Sequence, residues 1–243
     1  QIALASDPYQ LSAACRKLGL ANIRIIKKIE RLVKQVAASL ERYHPKVQHQ
    51  AVQSLIVFGW VRFGKNAPSF EFLSNRRSAQ FMRVIASDQQ VQEDPQTAAW
   101  NALLDAYPFG GVDEFDRVLW EGVLRGYFDF SKLDEQAARL SEAFIAADGS
   151  AAHSDAWRVF HDSFDDNERE VGDTMFAVVR DNMKHLEAGS VDDAIEMLRE
   201  LERGEDARSL IEDYVRTHEG KPTMFDVDRM SSFRPPRDSE FVE

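Results

Sequence analysis

The residues of this 243-residue chain that come closest to a catalytic motif are Gly59, Gly64 and Lys65. Their spacing is that of a phosphate-binding loop, in which small residues let backbone amides converge on phosphates and a Ser or Thr after the lysine holds magnesium. Here Trp-Val-Arg-Phe separates the two glycines, and Asn66 stands where the hydroxyl is needed. The sequence therefore favours a buried helix that ends in a glycine turn over a nucleotide site.

Histidine and cysteine side chains give two weaker signals. His161 and Asp162 are similar to the paired ligands of HD-type metal phosphohydrolases, and His153 lies shortly before them. Such a site needs ligands from neighbouring helices, and the sequence contains neither an HExxH motif nor a pair of ExxH motifs. We therefore predict no catalytic residue and no metal ligand in this chain. Cys15, the only cysteine, lies among alanines and leucines, a pattern typical of a buried structural thiol.

The elements that would position these residues are helices, because apolar residues recur at steps of three and four and no alternating strand pattern is present. The sequence predicts an all-α fold, an irregular bundle of about nine to ten helices in two subdomains with an irregular C-terminal tail. We expect a break between two helices at Asp148-Gly149-Ser150. Ser190 is predicted to be the N-cap of a helix that begins at Val191.

The net charge of -11 divides unevenly along the chain. Residues 1–94 contain 14 Lys and Arg against 7 Asp and Glu, whereas residues 95–243 contain 16 against 34. We therefore predict a basic helical subdomain over 1–90, an acidic helical subdomain over 91–220 and an irregular tail over 221–243. The single cysteine excludes a disulfide scaffold. The sequence also lacks an apolar run of membrane-spanning length, so we expect a cytoplasmic protein that does not enter a membrane.

The strongest concentration of positive charge falls on a helix predicted to begin after its N-cap, Asn22. Its apolar residues form one stripe, and the basic residues outside that stripe are candidates for contact with a partner or an anion: Lys27, Lys28, Arg31 and Lys34. Arg76, Arg77 and Arg83 could extend this surface. Nucleic acid is therefore a possible partner, although no aromatic residues alternate with these cations and the second half of the chain is acidic. A solvated helix face remains the alternative.

The segment CRKLGLANIRIIKKIER, from Cys15 to Arg31, resembles a junction in bacterial P-loop ATPases of the AAA-like and KAP-like kind. In those proteins the nucleotide-binding core enters its helical lid there, and an Asn-x-Arg or Pro-Arg element opens a basic helix. The arginine can reach the γ-phosphate as a sensor. The resemblance covers about residues 10–45 and implies that Arg24 contacts nucleotide while Asn22 caps its helix. It also implies ATP and magnesium as cofactors of an upstream core, with none held by this chain alone.

The function predicted from these features is that of a C-terminal helical interaction or regulatory module of a larger bacterial P-loop ATPase. The first residue, Gln1, favours a piece of a longer polypeptide. A role in antiviral defence against phage is an expectation at the level of the family, as is a protein partner or self-assembly. The alternative is a stand-alone helical adaptor or nucleic-acid-associated protein without nucleotide chemistry.

Overall fold

The computed structural model describes residues 8–85, 94–107, 109–162 and 167–220, with side chains described over 11–79, 94–107, 109–159 and 167–220. Within these ranges the only regular elements are α-helices, which confirms the predicted all-α fold. The helices are α1 (Pro8–Lys17), α2 (Ile23–Ser39), α3 (Pro45–Phe63), α4 (Phe70–Ile85), α5 (Pro95–Ala106), α6 (Glu114–Arg125), α7 (Phe130–Asp162), α8 (Glu168–Asn182), α9 (Ala188–Glu200) and α10 (Gly204–His218). None of these helices combines the length and apolar character that a membrane crossing requires.

The chain divides into two compact units, Gln1–Glu142 and Ala143–Glu243. Unit 1 contains α1 to α6 and the first residues of α7, and unit 2 contains the rest of α7 together with α8 to α10. The boundary predicted near residue 90 falls within residues 86–93, which lie outside the described part of the chain. The predicted tail over 221–243 also lies outside it.

Helix α3 forms the centre of unit 1, since α2 and α6 both pack against it. Every residue from Ser54 to Trp60 is buried, as expected for a helix covered on several sides. Gly59 allows the closest approach: a Cβ on this residue would lie 2.4 Å from Cδ1 of Ile29 in α2. This glycine therefore brings α2 and α3 into close contact.

Side-chain caps distinguish the helices of the two units. In unit 1 a side chain accepts a hydrogen bond from a first-turn amide at the start of α2 to α7, and these residues are Asn22, His44, Ser69, Asp94, Asp113 and Asp129. In unit 2 the N-cap residues of α8, α9 and α10 make no such hydrogen bond. The helices of unit 2 thus depend more on packing than on local capping.

Two local predictions are wrong in unit 2. Ser190 is not an N-cap, because α9 begins earlier at Ala188, a buried residue that follows the extended backbone of Glu187. The break expected at Asp148-Gly149-Ser150 is absent, since α7 runs continuously from Phe130 to Asp162. The glycine has a packing role there: a Cβ on Gly149 would lie 2.7 Å from Oδ1 of Asn182 in α8.

The core of unit 2 is formed by α8, α9 and α10, which all pack against one another, and by Ala156 of α7. Its largest fully buried side chain is Tyr214, whose hydroxyl donates to the carbonyl oxygen of Leu186 at 3.4 Å. His218 is also buried, with Nδ1 3.0 Å from the carbonyl oxygen of Tyr214. The Tyr214 hydroxyl and Nδ1 of His218 thus have partners within the same helical core, whereas the buried Nε2 of His218 has none among the described residues.

Candidate functional site

Helix α2 has one buried and one basic side. Its buried residues lie on a single stripe and are Ile26, Ile29, Leu32, Val33, Val36 and Ala37. On the opposite side five exposed cations occupy an arc of about 120°, given the 100° rotation per residue of an α-helix. We call these residues the basic face: Arg24, Lys27, Lys28, Arg31 and Lys34. The structure thus brings together all the basic residues of this helix that the sequence singled out.

The N-terminus of α2 has the cap that the sequence predicts. Oδ1 of Asn22 accepts a hydrogen bond from the backbone amide of Arg24 at 2.9 Å, and the Asn22 carbonyl oxygen accepts from Ile25 and Ile26. Arg24 therefore lies in the first turn, near the positive end of the helix dipole. Its side chain is exposed, and no described carboxylate pairs with it.

One aromatic ring lies beside the basic face. Nζ of Lys28 is 4.4 Å from the centroid of the Phe63 ring, and the guanidinium carbon of Arg62 is 5.7 Å from the same centroid. Both distances are within the range of a cation–π interaction. Sequence reasoning missed this contact because Lys28 and Phe63 are on different helices, which the Gly59–Ile29 contact holds close together.

Charge compensation on the basic face is small. Nζ of Lys34 is 2.7 Å from Oε1 of Glu30, one turn earlier on the same helix. No carboxylate in the described part of the chain pairs with Arg24, Lys27, Lys28 or Arg31. Among the described residues, the positive charge of this face therefore exceeds the negative charge paired with it.

Arg76 does not extend this surface, contrary to the sequence-based expectation, because it is buried. Its Nε donates to Oδ1 of Asn101 at 3.1 Å, and its two Nη atoms donate to the Phe109 carbonyl oxygen and to Asp105. A cavity of about 290 Å³ lies alongside and includes Arg76 and Asn101 in its lining. Since its guanidinium is paired with a carboxylate, Arg76 holds α4 against α5. The Arg83 side chain lies outside the described residues.

Within the described residues, the remaining sequence signals do not come together in a catalytic site. Gly59 to Phe63 are helical and Gly64 is the C-cap of α3, which confirms the predicted helix end. Cys15 is fully buried, and burial raises the pKa of its thiol to about 11. In the described part of the chain no three His, Cys, Asp or Glu side chains are placed to hold a metal ion. The side chains of His161 and Asp162 lie outside that part.

A buried carboxylate in unit 1 was not anticipated. Asp116 forms a reciprocal capping box with Asp113: its amide donates to Asp113 at 2.8 Å, and its Oδ2 accepts from the Asp113 amide at 3.2 Å. Nε2 of Gln50 donates to Asp113 at 2.8 Å. Burial, and secondarily the charge of Asp113, raise the pKa of Asp116 to about 7. The Asp-x-x-Asp spacing before an apolar run was the signal that could have revealed this box.

No protein-family model, curated protein or solved structure matches this chain. The structure itself defines an all-α protein in which one helix presents a row of exposed, largely uncompensated cations. The basic face is therefore the candidate functional site.

Proposed function

We propose that this chain is a helical interaction or regulatory module of a larger P-loop ATPase, in which Arg24 contacts a nucleotide phosphate. The observation that carries the proposal is the cap of α2, where Asn22 Oδ1 accepts from the Arg24 amide at 2.9 Å. A capped first turn fixes the backbone from which the guanidinium extends. An exposed arginine at the positive end of a helix is suited to a phosphate charge.

Unit 2 supports the partner-binding part of this proposal through its charge. Counted over the sequence, unit 2 has a net charge of -13, whereas unit 1 has a net charge of +2. Such an acidic surface favours a basic protein partner, because complementary potentials accelerate association and suppress wrong partners. The described residues carry no constellation for chemistry of their own, so the proposed role in unit 2 is binding.

The test of the nucleotide role is ATP turnover by the full native polypeptide and its Arg24→Ala variant. If Arg24 stabilises charge on the transferred phosphoryl group, its loss lowers kcat by about 10³-fold or more, the scale of an arginine finger. Arg31→Ala is the matched control, since it removes an exposed arginine from the same face two turns later. We expect this control to retain native turnover.

Circular dichroism of both variants checks that α2 is retained. Equal turnover by the native protein and Arg24→Ala would contradict the sensor role. Absence of ATP turnover from the full native polypeptide would contradict the proposal as a whole.

A further inference from the structure

We infer that the basic face of α2 binds the phosphodiester backbone of a nucleic acid without reading its base sequence. This inference concerns a different ligand from the proposed nucleotide contact and does not depend on it. It rests on the arrangement of the five cations, on the composition of the surface around them and on the aromatic ring that supports Lys28.

The cations form a regular row. Arg24 and Lys34 are ten residues apart, so the row is about 15 Å long at a rise of 1.5 Å per residue. One strand of B-DNA carries a charge about every 3.4 Å along its axis, so a row of this length lies opposite about four phosphates. The five side chains are long enough to reach individual phosphates, and the two arginines can bind phosphate oxygens in a bidentate manner.

Within the described residues, the surface around the row lacks the apolar core that is typical of a protein interface. Protein interfaces have an apolar core surrounded by a polar rim. The exposed large apolar residue of α2 is Ile23, at its N-terminal end. Within the described residues of unit 1 the others are Leu124 of α6, Tyr127 between α6 and α7, and Phe130 at the start of α7. A face dominated by cations fits a regular polyanion better than the mixed surface of an acidic protein.

Phe63 restricts the positions of two cations at or beside this face. Its half-buried ring contacts the ammonium group of Lys28 and approaches the guanidinium of Arg62, so the two cations gather at one end of α3. Positioned cations lose less side-chain entropy on binding a phosphate than freely rotating ones. The proposed contacts are to phosphate oxygens, which every sequence presents alike, so duplexes of unrelated sequence are expected to bind with the same affinity.

The experiment measures binding of labelled DNA to the full chain and to two triple variants. The face variant is Lys27→Gln with Arg31→Gln and Lys34→Gln, which leaves Arg24 and Lys28 in place. The control variant has the same change in net charge elsewhere on unit 1: Arg117→Gln, Arg125→Gln and Lys132→Gln, at three exposed positions. Glutamine has a helix propensity close to that of lysine and arginine, so α2 is retained in the face variant.

We expect duplex DNA to bind the native chain about 10²-fold more weakly at about 200 mM salt than at about 50 mM, as four to five phosphate contacts require. The slope of log affinity against log salt falls by about 3 in the face variant, roughly one for each lost contact. The control variant keeps the native slope. Two duplexes of unrelated sequence bind equally well.

Binding of single-stranded DNA and of RNA with the same sequence is compared with binding of the duplex, to identify which backbone binds best. Binding of any of these three nucleic acids with the expected salt slope supports the inference. Three results would overturn it: no binding at low salt, an equal loss of slope in both triple variants, or equally effective competition by oligoglutamate at matched charge. The last result would assign the face to an acidic protein. Circular dichroism verifies that every variant is folded.

Discussion

Among single residues, Asp116 has the clearest consequence for stability. Its side chain is 1% exposed, and its Oδ1 lies in the interior without a hydrogen-bond partner. Burial is the larger cause of its raised pKa, because the charged form loses its hydration, and the nearby charge of Asp113 adds to the effect. The folded chain therefore favours a proton on Asp116.

The pH dependence of unfolding follows from this raised pKa. Between the ordinary value of 3.8 and about 7, the folded chain holds a proton on Asp116 that the unfolded chain has lost. The free energy of unfolding consequently falls as the pH rises through this window. We expect Asp116→Asn to remove this part of the slope. The free energy of unfolding of the variant, minus that of the native chain, should therefore be larger above this pH window than below it, by at least about 1 kcal/mol.

Urea unfolding of unit 1 as a function of pH measures this difference, with Asp113→Asn as the control. This control places an uncharged side chain at position 113 of the capping box and so removes the charge beside Asp116. It should retain much of the native slope because burial is the larger cause of the shift. Identical pH profiles for the native chain and Asp116→Asn would show that Asp116 is ionised in the folded state.

At the scale of the helix, the two units differ in how their elements begin. The α2 to α7 helices have side-chain caps, whereas α8, α9 and α10 do not. The backbone of Glu187 before α9 is extended, with φ -73° and ψ 152°, which is the conformation that an N-cap residue adopts. The exposed Glu187 side chain is one methylene longer than that of aspartate, a preferred capping residue. A cap can therefore be introduced there without a change in charge.

We predict that Glu187→Asp stabilises unit 2 by about 0.5–1 kcal/mol, since aspartate can accept from a first-turn amide of α9.

Removal of an existing cap should have the opposite effect. Asn22→Ala should destabilise unit 1 by about 1 kcal/mol because it removes the cap of α2. Asn22→Ser keeps an accepting side chain and should lose much less stability. Chemical denaturation measures all three, and equal stability of Asn22→Ala and Asn22→Ser would contradict the capping account.

Considered as a whole molecule, the chain joins two units of different charge. Unit 2 has a net charge of -13, and unit 1 has a net charge of +2. A large net charge opposes the compact state through self-repulsion, which salt screens. The stability of unit 2 should therefore depend on salt much more than that of unit 1.

We predict that raising KCl from about 0.01 to about 0.15 M, which shortens the screening length from about 30 to about 8 Å, increases the protection of unit 2 amides from hydrogen exchange. Peptides from α8 to α10 report on unit 2, and peptides from α2, α3 and α6 provide the internal control in the same sample. An equal gain of protection in both units would show that self-repulsion within unit 2 does not cause the salt-dependent increase in protection.

The all-α fold and most features of α2 could be predicted from the sequence alone. The spacing of its apolar residues predicted the buried stripe, and Asn22 predicted the cap that the structure contains. The five cations follow from the same pattern, because residues outside the stripe of an amphipathic helix face solvent. These features depend on residues within one or two turns, so local sequence is sufficient to predict them.

The burial of polar groups and the continuation of α7 past Gly149 could be established from the tertiary structure but not from the sequence. The partners of Arg76 are 25 to 33 residues further along the chain, and the ring beside Lys28 belongs to another helix. Gly149 lies inside a continuous helix, at a position where Asn182 of α8 leaves no space for a larger side chain. Each outcome depends on the free energy of contacts between distant segments, which exceeds the weak preferences of local sequence once the helices pack.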